Sequence, residues 1–128
     1  MREMLRLLRE IREQGREAFL ESSTAEAATT RYLQIAIESM IDVAHHVIAR
    51  KAWGLPKTYH EAIDLAIREG FLPADRAEEF ERLVTFRNRA VHLYDMPEAE
   101  EVWDVAENHL EDLEAVVVAV VTKYLDGT

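Results

Sequence analysis

No cysteine occurs in this 128-residue chain, which excludes disulfides and thiolate metal sites. Only four glycines and three prolines are present, so few positions force a helix to stop, and long helices are favoured. The longest purely apolar run, Ala115–Val121, falls far short of the roughly 20 residues that a helix needs to cross a bilayer. The opening Met1-Arg2-Glu3-Met4 is charged and carries no secretory apolar stretch, so a cytoplasmic protein with no membrane partner is the expectation. Asparagine and glutamine are scarce. Arginine outnumbers lysine, a pattern of many charges and few labile amides that resembles thermophile proteins.

What is there is an ordinary globular composition, 48% apolar, in a chain long enough for one domain with its own core, spanning residues 1–128. The formal net charge of −10 argues against nucleic acid at first sight. The charge is unevenly spread, however. Residues 95–128 hold nearly all of the excess acid, with Lys123 as the one base, and the preceding residues almost balance. The acidic character therefore belongs to the last helix. It reads as a solvated outer face, with a basic partner surface as the alternative.

Apolar spacing reads as five helices and no strands. Residues 2–20 are amphipathic, and Arg2, Arg6, Arg9, Arg12 and Arg16 alternate with glutamates, which points to ion pairing along the helix rather than a phosphate-binding stripe. Ser23 with Glu26 forms a capping box for a second helix that runs to about Trp53 and stops at Gly54-Leu55-Pro56. Thr58 with Glu61 caps a third helix, ended by Gly70. Pro73 opens the fourth. Asp95 with Glu98 caps the last, which has Pro97 in its first turn and runs to about Leu125. The expected fold is all-α, an up-down helical bundle of about five helices with short connections. The length of the second helix suggests that it packs along a bundle or a second subunit.

The segment that carries chemistry is Arg87-Asn88-Arg89-Ala90-Val91-His92-Leu93-Tyr94, at the end of the fourth helix. Arginine can grip a phosphate through two parallel hydrogen bonds. Histidine is the side chain whose ordinary pKa suits proton transfer near neutrality. An amide orients a phosphate or hydroxyl oxygen without adding charge. Together these groups can cleave a phosphodiester without a metal. With this many arginines and histidines an Arg-x4-His match arises by chance about half the time, and requiring the tyrosine lowers this to roughly one or two in a hundred. The competing reading pairs Arg87 and Arg89 with acids of the same helix, such as Glu78 or Glu81, and leaves His92 as a helix-end residue. On a straight helix Arg89 and His92 lie close, whereas Arg87 and His92 are about 140° apart. Arg87 competes if the helix tightens or unwinds near Val91. A two-fold dimer would bring two motifs to one composite cleft.

Other polar residues carry less. His45 and His46 point about 100° apart, a poor arrangement for one metal, and with His60 and His109 they could form a zinc site only by tertiary coincidence. Asp42 and His46 have the spacing of a helical ion pair. Trp53 and Trp103 read as core or interface packing. No glycine-rich phosphate loop and no Gly-x-Ser-x-Gly elbow is present.

The motif within an all-helical frame resembles the HEPN superfamily and, within it, the HepT-like toxins, whose pattern is Arg-x4–6-His-x-Tyr near the end of a bundle helix with a polar residue after the arginine. Arg87, Asn88, His92 and Tyr94 supply the full pattern. The resemblance implies a homodimeric, metal-independent ribonuclease without a cofactor, acting on an RNA substrate. It is neutralised by a minimal nucleotidyltransferase antitoxin that transfers AMP to the motif tyrosine, here Tyr94. It further implies that Arg87, Asn88 and His92 are the catalytic residues, with Arg89 kept as a further phosphate contact. Some superfamily members keep the fold as non-catalytic binding subunits for nucleotidyltransferases, and this is the alternative function.

Overall fold

The computed structural model describes residues 1–125, and these are helical almost throughout, with no strand among them. The five expected helical segments are present, but two are broken. The α-helices are α1 (Arg2–Gln14), α2 (Arg16–Leu20), α3 (Ser23–Lys51), α4 (Tyr59–Arg68), α5 (Ala77–Ala90), α6 (Ala99–Asn108) and α7 (Leu110–Ala119). A 3-10 turn, Ala74–Arg76, leads into α5, and a π-helical turn, Val120–Leu125, follows α7.

The two breaks have different causes. Gly15 adopts φ 95° and ψ 164°, a backbone that L side chains rarely take, so the first segment bends between α1 and α2. At His109 the backbone opens to φ −121° and ψ 9°. The buried His109 ring sits with Nδ1 2.9 Å from Oδ2 of Asp112, whose other oxygen accepts from Arg76 Nη1 at 2.7 Å. Asp112 is itself buried. The kink thus fixes a carboxylate inside the bundle between an imidazole and a guanidinium, which satisfies it.

Three start signals fall one to four residues from where the spacing put them. Ser22, not Ser23, is the N-cap of α3, its hydroxyl accepting from Ala25 N at 3.0 Å. Glu98, not Asp95, precedes the first residue of α6, so Pro97 lies before that helix rather than inside its first turn. Pro73 precedes the 3-10 turn, and α5 begins only at Ala77. Thr58 caps α4 as expected, accepting from Glu61 N at 3.0 Å. Gly70 has φ 83° just past the end of that helix.

Helix α3 is the axis of the molecule. At 29 residues it runs about 44 Å. Helices α1, α2, α4, α5, α6 and α7 all pack on it. Its Leu33, Ile37 and Met40 meet Leu8, Phe80, Leu83, Leu110 and Leu113 in one fully buried core. Each such side chain contributes about 1.5–3 kcal/mol through burial. Trp103 is part of this core and Trp53 packs at its edge, as their packing role required.

Arginines of α1 divide between two uses. Arg6 pairs within the helix to Glu3 and Glu10. Arg9 and Arg12 instead cross to α7, at 2.6 Å from Glu114 and 2.9 Å from Glu111. Part of the acid in the last segment therefore pairs with α1 while remaining exposed to solvent. Among the described residues no helix is long and apolar enough to cross a membrane.

Candidate functional site

Helix α5 positions the motif because its inner face is anchored by Phe80, Leu83, Val84, Phe86 and Ala90, all buried. It ends just past Ala90, where the chain tightens and then turns away. His92 N donates to Arg89 O at 3.0 Å, a three-residue closure, and Asp95 N donates to His92 O at 3.1 Å. His92 therefore lies beyond the regular helix, and the straight-helix geometry that favoured Arg89 as its partner no longer applies.

The two arginines leave α5 toward different neighbours. Arg87 turns to α3 and α4. Its Nε donates to Glu38 Oε2 at 2.9 Å, and Nη2 lies 2.8 Å from the same oxygen. Its Nη1 donates to Asn88 Oδ1 at 3.3 Å. The guanidinium carbon stands 5.0 Å from the ring centroid of Tyr59, a cation–π contact. Only 18% of the Arg87 side chain is exposed. Arg89 turns the other way. Nη1 and Nη2 grip the two oxygens of Glu101 at the start of α6, and Nε reaches Asp95 Oδ1 at 3.4 Å. Glu101, with Asp95 beside it, holds the Arg89 pKa above its ordinary value.

Neither arginine pairs with Glu78 or Glu81, as the competing reading had it. Glu81 Oε2 lies 2.6 Å from His60 Nδ1 on α4, with Thr85 Oγ1 3.5 Å from the far nitrogen of that ring. Burial pushes the Glu81 carboxyl above the usual range against the hydrogen bond from His60, and nearby Asp64 adds to the rise. Asp42 and His46 do not pair. His46 Nε2 instead lies 2.7 Å from the Tyr124 hydroxyl. No group of three or more His, Asp or Glu residues among those described could hold a metal ion, so the coincidental zinc site does not form.

Beyond α5 the motif opens to solvent. His92 is exposed. Leu93 is 82% exposed and Tyr94 99% exposed, with Val91 and Met96 also on the surface. The site thus combines an immobilised guanidinium, an amide bonded to it, an accessible imidazole and a phenol standing free of the fold. The residues that sequence reasoning missed are Glu38 and Tyr59, which hold Arg87 from other helices. Their one trace in the sequence is an acid at the edge of the apolar stripe of α3 and an aromatic at the first position of α4.

The chain is similar to known proteins in sequence and in fold. The family described as Ribonuclease HepT-like matches residues 1–120. The mRNA nuclease HepT of Shewanella oneidensis is 26% identical over 99 residues, covering 77% of this chain and 74% of that protein. Among solved structures, the tri-AMPylated Shewanella oneidensis HEPN toxin in complex with MNT antitoxin superposes with a TM-score of 0.84 at 22% identity, over 94% of this chain and 90% of that one. A toxin–antitoxin pair, MntA–HpeT, carrying a tyrosine-to-alanine substitution gives 0.83 at 22% identity, over 94% and 91%. These likenesses share the bundle fold along almost its whole length, and with the family match over residues 1–120 the chain belongs to the ribonuclease HepT-like family.

Proposed function

We propose that this chain is a metal-independent endoribonuclease toxin, acting in the cytoplasm as a homodimer and neutralised by a minimal nucleotidyltransferase antitoxin that transfers AMP to Tyr94. The observation that carries the reading is the division of labour in the motif. Arg87 is fixed by Glu38 and Tyr59, while His92 and Tyr94 stand in solvent a few residues on.

His92 takes the proton of a ribose 2′-hydroxyl or supplies one to the leaving 5′-oxygen. The 2′-oxygen bonds to phosphorus, the bond from phosphorus to the 5′-oxygen breaks, and a 2′,3′-cyclic phosphate and a 5′-hydroxyl result. Arg87 stabilises the charge that builds on the phosphoryl oxygens. Asn88, whose amide oxygen accepts from Arg87, has its NH2 to donate to phosphate or imidazole. Arg89 is engaged by Glu101 and Asp95 and acts first as a brace for the loop, touching phosphate only at the cleft edge. AMP on the exposed phenol of Tyr94 adds a bulky anion beside the cleft and repels the RNA backbone. A second reading, a non-catalytic binding subunit for the nucleotidyltransferase, is favoured by the near-complete exposure of Leu93 and Tyr94, which suits docking.

The test is incubation of purified protein, shown by mass spectrometry to carry no adduct on Tyr94, with total RNA in EDTA, beside His92→Ala of equal thermal stability. The expected result is fragments ending in cyclic phosphate, with His92→Ala slower by roughly 10²–10⁴-fold. Absence of cleavage by the unmodified parent would select the binding-subunit reading.

A further inference from the structure

The guanidinium of Arg87 is held from two other helices. Glu38 of α3 takes one edge of the fork, Nε and Nη2, through a single carboxylate oxygen at 2.9 and 2.8 Å. The guanidinium carbon stands over the ring of Tyr59, at the first position of α4, 5.0 Å from the ring centroid. Tyr59 in turn meets the ring of His45, about two turns along the same face of α3 from Glu38, in an edge-to-face contact at 6.1 Å. Gln34, one turn before Glu38, donates to that same oxygen at 3.2 Å and fixes the carboxylate. With Nε and Nη2 donating to Glu38 and Nη1 donating to Asn88 Oδ1, the fork keeps one further N–H on each of Nη1 and Nη2 for a phosphate.

We propose that Glu38 is a positioning residue for the ribonuclease reaction, holding Arg87 by its Nε edge so that the opposite edge meets the scissile phosphate. This rests on the catalytic reading of Arg87 given above. The physical consequence is a split between binding and rate. Glu38 is an anion beside the path of an anionic substrate, so it opposes ground-state binding of RNA. It also prevents the long Arg87 side chain from sampling rotamers in which the fork misses the phosphate, so it favours the transition state. Removing it should leave RNA binding unchanged or tighter while the chemical step slows. Burial raises the Glu38 carboxyl, but the hydrogen bonds from Arg87 and Gln34 and the charges of Arg87 and Arg31 outweigh this and hold its pKa below the usual carboxylate range. The carboxylate is thus ionised at the pH where the enzyme would work.

The experiment compares the parent, Glu38→Gln and Glu38→Ala on a short single-stranded RNA, with kcat and KM measured separately and thermal midpoints recorded. The expected result is a fall in kcat of at least tenfold for Glu38→Ala, a KM equal to or below that of the parent, and partial rescue by Glu38→Gln, whose amide oxygen still accepts from Nε. A structural defect alone would lower the active fraction without lowering KM or grading with the acceptor. Equal kcat in all three proteins, or a raised KM with kcat unchanged, would overturn the proposal. The clamp is also read without activity, by NMR of arginine Nε–H groups. Arg87 should give a slowly exchanging Nε–H in the parent that is lost in Glu38→Ala. A parent that shows this signal but cleaves no RNA refutes the catalytic reading and leaves the clamp intact. A parent that cleaves RNA without this signal refutes the clamp.

Discussion

The guanidinium of Arg87 is fixed by a carboxylate and a ring face from two other helices, whereas that of Arg89 is engaged on both sides by acids of the loop and of α6. That contrast predicts how the two tolerate a shorter list of donors. Arg87→Lys keeps the charge but loses the fork, the Glu38 edge and much of the stacking, so cleavage should fall by about 10²-fold or more even though the substitution is conservative. Arg89→Lys keeps an ion pair to Glu101, and cleavage should stay within about threefold. Steady-state cleavage of one RNA by both variants decides the assignment, and an equal loss in Arg89→Lys would make it the principal phosphate ligand instead. Tyr94, standing 99% exposed, makes a separate prediction. Tyr94→Phe incubated with the antitoxin and ATP should gain no mass, whereas the parent gains AMP. Modification of the phenylalanine variant at another residue would remove Tyr94 from the regulatory scheme. The motif was legible because its groups are contiguous in the chain. Their holders were not, since Glu38 lies 49 residues before Arg87 and nothing local marks it as a partner.

Helix boundaries show a similar divide between local and distant causes. Five helical segments follow from apolar spacing, and the capping threonine and the glycine after α4 follow from residue chemistry. One displaced cap has a local reason: Ser22 and Ser23 are equally able to cap by residue chemistry, and Ser22 is the one used. Gly15 could have been read as a break, since a lone glycine inside an apolar pattern is ambiguous, but His109 could not, because its kink depends on Asp112 and on Arg76 from another element. Arg76→Ala should therefore strip a buried carboxylate of one partner and destabilise the bundle by about 2 kcal/mol, less than for a fully buried pair because Arg76 is itself 39% exposed. Denaturant unfolding would check this, and a change below a few tenths of a kcal/mol would mean that His109 satisfies Asp112 alone. Two ties between helices also predict a pH dependence. Glu38, between α3 and α5, and Glu111, between α7 and α1, both have carboxyls that burial raises but that arginine partners bring below the usual range. A depressed native pKa contributes stability that is fully present above the unfolded glutamate value and is lost as pH falls through the native one. The thermal midpoint should therefore be flat down to the ordinary glutamate range and then drop, and Glu38→Gln together with Glu111→Gln should flatten that drop. An unchanged acid limb in the double variant would place the acid sensitivity elsewhere.

At the scale of the whole molecule the difficulty is charge. A protein of net charge −10 has to meet RNA through a local basic surface. Arg9 and Arg12 are paired to α7, Arg89 to α6 and Arg76 to Asp112, so the arginine left to reach phosphate at the motif end of α5 is Arg87, itself paired to Glu38. Two copies facing each other across a two-fold axis would place two such arginines and two imidazoles in one cleft without changing the charge of either chain. The composite arrangement makes a prediction that a self-sufficient single motif does not. Arg87→Ala and His92→Ala should each be nearly inactive alone. Mixed, unfolded and refolded together, they should assemble with about half of the dimers carrying one of each variant. Such a dimer retains one arginine from one protomer and one histidine from its partner, so cleavage should recover well above that of either variant alone. Recovery that grows with the fraction of mixed dimers, measured by native mass spectrometry of differently tagged chains, would establish that residues from both protomers act on one phosphate. Mixed dimers that form in the expected proportion and remain inactive would mean that each motif must supply its own arginine and histidine, and the pairing of two chains would then serve binding rather than chemistry.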